Sequence, residues 1–222
     1  MAPELKFCGL TRPEDAAAAA QLGAAHAGVI FAGGPRLLSM QRASEVLTGL
    51  PPTMGRVGVF ADQDAGAVAA HAAAAGLTVA QLHAPRTPRE IAELRAETGL
   101  SVWAVLRVAG GALPTDYGAL VDAADAIVVD ALVPGQLGGT GVAVDWEALA
   151  RALERRGRPR RLVLAGGLRP ENVARAVAIV APDVVDVSSG VEHAPGVKDH
   201  ARMRAFAAAV RGTNANASPA AV

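Results

Sequence analysis

RLVLAGGLRPENVARAVAIVAPDVVDVSSG, residues 161–190, holds one complete structural unit and the start of the next. The apolar run from Arg161 to Ala165 reads as a buried strand, the Gly166-Gly167 pair as a tight turn, Glu171 to Val180 as a helix and Val184 to Ser188 as a second strand. A run such as VVDV suits a sheet covered on both faces, and a helix between two such runs is the connection that parallel strands require. Pro170 and Glu171 follow Arg169 as a helix-start signal, since proline is tolerated in a first turn and an acidic group favours it.

The same unit recurs along the chain. Further strand candidates are Leu5 to Cys8, Ala27 to Phe31, Arg56 to Phe60, Val79 to His83, Val102 to Val108 and Ala126 to Asp130, which brings the total to eight. Helices are expected over Glu14 to Leu22, Met40 to Leu50, Ala65 to Ala75, Pro88 to Thr98, Trp146 to Arg156 and Asp199 to Arg211. Thr11 before Pro13 and Thr87 before Pro88 repeat the start signal. Between Val108 and Asp125 the pattern is weak, so the fifth helix is expected to be short or missing. Eight βα units predict an α/β fold, a single-domain (β/α)8 TIM barrel over residues 1–211, near the small end for that architecture. An open doubly wound sheet would place a GxGxxG turn after its first strand, where this chain has CGLT. Residues 212–222, GTNANASPAAV, lack periodicity and read as a disordered tail.

The totals narrow the function. Of 222 residues, 51% are hydrophobic and 3% aromatic, and acidic and basic residues balance at 21 each. No global field draws the chain to nucleic acid or an anionic membrane, so an anionic ligand must be held locally. Gln21, Gly23, His26 and Gly28 interrupt the one long apolar stretch, which argues against a membrane span. A lone cysteine and the absence of an export-type start point to the cytoplasm. No HxH or HExxH spacing suggests a metal, and no cofactor motif is present.

A barrel of this kind works at the carboxyl ends of its strands. The polar residues expected there are Cys8, Gln81, His83, Asp130, the Gly166-Gly167 pair, and Asp186, Ser188, Ser189 and Gly190, with Arg36 in the loop after strand two. A lone cytosolic cysteine is ordinarily a small buried hydrophobe, and an aspartate at a strand end is often a cap. The position of Cys8 before Gly-Leu-Thr, and the approach to Asp130 through the apolar IVV, favour a site. Glycine-rich turns after strands seven and eight are suited to an anion, because backbone N–H groups can approach it closely.

The motifs KFCGLT (6–11), VGVF (57–60), QLH (81–83), VVDA (128–131) with GGTG (138–141) and VDW (144–146), LAGGLRPENV (164–173), and DVSSGVE (186–192) with PGVKDH (195–200) resemble those of phosphoribosylanthranilate isomerases, in family order. The resemblance implies an Amadori rearrangement in tryptophan synthesis, without metal or redox cofactor. By similarity, Asp130 is the acid that protonates the ring oxygen and Cys8 the base that removes the C2 proton. Arg36 would bind the aromatic carboxylate, His83 and Asp186 the sugar, and Gly166, Gly167, Ser188, Ser189 and Gly190 the phosphate. The chain departs from the family pattern around Arg36, in FAGGPRLLS, and after His83, in APRTP. A related histidine-pathway isomerase, or a barrel acting on both substrates, would have aspartate in place of Cys8. A barrel that binds phosphoribosyl compounds without catalysis is the other reading. The partner expected is a small phosphoribosyl aromatic compound, bound by a monomer or homodimer. The sequence does not identify what makes the Cys8 thiol basic.

Overall fold

The computed structural model describes residues 1–131 and 145–213. The strands β1 (Glu4–Phe7), β2 (His26–Ile30), β3 (Gly55–Phe60), β4 (Val79–Leu82), β5 (Ser101–Val108), β6 (Ala126–Ala131), β7 (Leu162–Leu164) and β8 (Val184–Val187) form a closed parallel barrel in chain order. Helices α1 (Pro13–Gln21), α2 (Met40–Leu47), α3 (Ala65–Ala75), α4 (Pro88–Thr98), α5 (Tyr117–Ala123), α6 (Trp146–Arg156), α7 (Val173–Val180) and α8 (His200–Gly212) alternate with them. The fifth helix is thus present but only seven residues long, held by the Tyr117 hydroxyl donating to the Gly157 carbonyl at 2.9 Å. Among the described residues no helix is long and apolar enough to cross a membrane.

Strand alternation separates two cores. Leu5, Phe7, Val29, Phe60, Leu82, Ile127, Val129, Leu162, Val185 and Val187 face the helices, whereas Val57, Val79, Trp103, Val105, Val128, Val163 and Val184 fill the barrel. Because side chains alternate with period two, the partners of these inner residues continue up the barrel. Lys6 and Cys8 on β1, Gln81 on β4, Arg107 on β5, Asp130 on β6 and Asp186 and Ser188 on or after β8 share the inner face. Closure sets Lys6 beside Asp186, and the β5–β6 register sets Arg107 beside Asp130.

The helix starts differ in detail from expectation. Thr87 and Glu90 form a reciprocal capping box at α4, but α7 begins at Val173, since Arg169 and Pro170 belong to a turn fastened by the Arg169 N–H to Asn172 at 2.8 Å. After β8 the chain makes a short 3-10 turn (Ser189–Val191) and an unanticipated antiparallel hairpin, β9 (Glu192–Ala194) and β10 (Val197–Lys198). Gly212 closes α8; the GGTG loop and the tail from 214 onward lie outside the described residues.

Candidate active site

All eleven residues expected at the site, Gln81 included, line one cleft of about 230 Å³ at the carboxyl ends of the strands. Cys8 comes from the end of β1, His83 from β4, Asp130 from β6, Gly166 and Gly167 from the turn after β7, and Asp186, Ser188, Ser189 and Gly190 from β8 and its turn; Arg36 reaches in from the β2–α2 loop. Gly28, opposite Cys8 on β2, leaves space for the sulfur: a Cβ there would stand 3.0 Å from Sγ.

Burial raises the pKa of both Asp130 and Cys8, which favours the protonated form of each. Desolvation raises the Asp130 pKa to about 6, aided by the negative charge of Asp186 and opposed by the Ala131 amide and Arg107. One oxygen, Oδ1, accepts from the Ala131 N–H at 2.8 Å, which leaves Oδ2 to carry a proton. Desolvation also pushes the Cys8 thiol up, away from the thiolate. Two ammonium groups work against that shift. Lys6, fully buried one layer below, donates to Asp186 at 2.7 Å and favours a negative sulfur. Lys198, from β10, donates to the Cys8 carbonyl at 2.6 Å and acts on the sulfur in the same sense. The sequence alone names neither of these two groups as a neighbour of the sulfur.

Arg36 is not a loose surface arginine. Its Nε and one terminal nitrogen form a two-point bond with Glu192, at 2.8 and 2.6 Å. Gly9 makes room for it, with φ at +68° and a position where a Cβ would lie 2.5 Å from Arg36 Cδ. The two phosphate-type turns form one surface: a Cβ on Gly190 would stand 1.9 Å from the Leu168 carbonyl oxygen, so glycine is required for that approach. Gly166, at φ +83°, lies against Asp130, where a Cβ would be 2.9 Å from Oδ1.

The family of N-(5'-phosphoribosyl)anthranilate isomerases matches residues 5–209. This chain belongs to that family. The isomerase of Acidithiobacillus ferrooxidans is 43% identical over 213 residues, covering 94% of this chain and 98% of the relative. The crystal structure of the Thermus thermophilus isomerase has a TM-score of 0.82 at 36% identity, covering 94% of this chain and 98% of that one. A further phosphoribosylanthranilate isomerase structure, in complex with reduced 1-(o-carboxyphenylamino)-1-deoxyribulose 5-phosphate, has a TM-score of 0.80 at 31% identity, covering 95% and 99%.

Within this isomerase barrel, four polar residues in or beside the site, Lys6, Gln81, Glu192 and Lys198, have no role assigned from sequence. Gln81 and Asp186 each hold a buried oxygen without a hydrogen-bond partner, Oε1 and Oδ1 respectively, and Ser188 Oγ is in the same state. Burying an unsatisfied polar atom costs free energy, and three lining one cleft mark where ligand hydroxyls fit. For Gln81 and Lys6 the signal was inner-face parity on their strands. For Glu192 and Lys198 it was membership of the DVSSGVE and PGVKDH motifs, but only the hairpin shows what they touch. Among the described residues no cluster of His, Cys, Asp and Glu is arranged to hold a metal.

Proposed function

We propose that Cys8 and Asp130 carry the family's isomerisation of N-(5'-phosphoribosyl)anthranilate to 1-(2-carboxyphenylamino)-1-deoxyribulose 5-phosphate, the third step of tryptophan synthesis from chorismate. Asp130 donates its proton to the furanose ring oxygen as the C1–O bond breaks, and the anilinic nitrogen lone pair forms a protonated Schiff base. Cys8 then removes the C2 proton; the electrons of that bond form C1=C2 and neutralise the iminium. The resulting enolamine becomes the ketose when C1 gains a proton and the C2 hydroxyl loses one.

The observation that carries this reading is the convergence on one cleft of Cys8 and a carboxyl group with a pKa of about 6. At pH 7 such a group is protonated in about one molecule in ten, sufficient for a general acid poised near working pH. The thiol is the harder group. The positive iminium that forms in the first step adds to Lys6 and Lys198 in favouring thiolate, so the order acid first, base second suits the electrostatics.

The remaining assignments follow the shape of the substrate. Arg36 faces the aromatic carboxylate with the edge that Glu192 leaves open; Gln81, His83 and Asp186 meet the sugar hydroxyls; Gly166, Gly167, Ser188, Ser189 and Gly190 form the phosphate nest. The barrel contains all of these groups itself, so one subunit suffices for chemistry, and sedimentation velocity separates monomer from homodimer. A cysteine that must stay a free thiol supports a reducing, cytoplasmic setting. Turnover of phosphoribosylanthranilate by wild type, Cys8→Ala and Asp130→Asn tests the roles: retained turnover in either variant removes its assignment. Comparable turnover of the histidine-pathway aminoaldose would replace the single-substrate reading with a dual one.

A further inference from the structure

Lys198 is 3% exposed, yet its ammonium is fully engaged: it donates to the Cys8 carbonyl at 2.6 Å, the Ser188 carbonyl at 3.1 Å and Glu192 Oε1 at 2.9 Å. Three acceptors around one nitrogen require three N–H bonds, which only the charged form supplies. Burial works against that charge, but a neutral amine would leave one acceptor unsatisfied. Glu192 is held ionised in turn, since Arg36 and Lys198 outweigh its own desolvation. The hairpin carrying both residues is fixed to the first βα unit: Thr11 donates to the Gly196 carbonyl at 2.5 Å, and the Lys198 N–H to buried Asp15 at 3.2 Å.

The arithmetic of charge at this corner has a direct bearing on ligand binding. Arg36 and Glu192 alone would sum to zero, and a carboxylate approaching Arg36 would meet an anion already in its fork. With Lys198 behind Glu192 the three groups sum to +1. We propose that Lys198 is a positioning residue for substrate recognition: by neutralising Glu192 from behind, it allows Glu192 to orient Arg36 without cancelling the positive charge that the aromatic carboxylate requires. This rests on the reading of Arg36 as the carboxylate site.

The experiment uses competitive inhibition by two probes, reduced 1-(o-carboxyphenylamino)-1-deoxyribulose 5-phosphate and the same compound without its ring carboxylate. The ratio of their inhibition constants reports carboxylate recognition alone. Lys198→Met is expected to weaken the carboxylated probe by about tenfold or more, in line with truncating one member of a buried charge group, and to change the other by less than about threefold. Lys198→Met with Glu192→Gln returns the corner to +1, leaves no unpaired buried carboxylate, and is expected to recover most of the ratio; it also serves if the single variant does not fold. Equal weakening of both probes, or a double variant no better than the single, overturns the proposal in favour of a purely structural lysine. Arg36→Met is expected to abolish the ratio. If Arg36→Met keeps it, the carboxylate is read elsewhere and both the proposal and the reading beneath it fall; if Arg36→Met loses it while Lys198→Met does not, only the proposal falls.

Discussion

The two ends of the barrel bury polar groups in different ways. At the amino-terminal end, Glu4, His26 and Arg161 neutralise one another: His26 Nε2 lies 3.1 Å from Glu4, and Arg161 bonds the same carboxylate while stacking 5.9 Å over Trp103. His26 packs edge-on to that ring at 4.9 Å, and its Nδ1 abuts Gly55. His26 Nδ1 and Arg161 Nε are also buried without hydrogen-bond partners, but these side chains are packed on Trp103 rather than turned toward the cleft. At the carboxyl end, Lys6 satisfies only one oxygen of Asp186, and Gln81 and Ser188 also keep unpartnered atoms. The lesson is that burial of charge alone does not mark a site; buried polar capacity left open toward a cleft does.

Changing the proposed reactive pair, Cys8 and Asp130, should break this contrast most severely. Cys8→Ala and Asp130→Asn are each expected to lower kcat/KM by about a hundred- to ten-thousand-fold, measured by steady-state assay, without lowering the unfolding midpoint.

Asp130→Asn sharpens it further through pH. The Asp130 pKa is raised in the folded state, from an ordinary 3.8 to about 6, so the wild-type protein loses stability as pH rises through that interval. The variant should therefore be more stable than wild type above pH 6, by up to roughly 3 kcal/mol, and no more stable below pH 4. Urea unfolding at the two pH values checks the sign; a variant less stable at pH 8 would contradict it.

At the opposite end, Gly55→Ala is expected to reverse the pattern, affecting stability and sparing chemistry. Its Cβ would fall 2.3 Å from His26 Nδ1, a ring held between Glu4 and Trp103. Overpacking of this kind costs about 1–3 kcal/mol, while kcat/KM of the folded protein should stay within about twofold of wild type. Smallest of all is Glu4→Gln. Glu4 is 47% exposed at its side chain, and removing such an ion-pair partner should cost under about 1 kcal/mol, as read by thermal melting.

How much of this the sequence discloses depends on whether the interaction is local. The eight strands are legible as apolar runs because both their faces are buried, and Cys8 and Asp130 because a strand end assigns its side chain to the cleft. The short α5 blurred into its loop because two turns of helix carry too little periodicity. The Arg36–Glu192 pair spans 156 residues and the Lys198–Cys8 contact 190, and no local pattern encodes which distant charge meets which. Glu192 and Lys198 were visible as motif members, while their purpose depends on a hairpin whose strands are three and two residues long.

Closure of β1 on β8 joins residues 180 positions apart, as in the Lys6–Asp186 pair. Lys6 and Cys8 are synthesised long before their partners: Lys6 has no counter-ion until Asp186 of β8 follows, and the Cys8 carbonyl no ammonium until Lys198 of the last hairpin follows. Domains fold as units as synthesis completes; here activity gained during synthesis would time the seam's closing, and a fragment ending before Lys198 would hold Cys8 and Asp130 with Lys6 but without the second ammonium group near the sulfur.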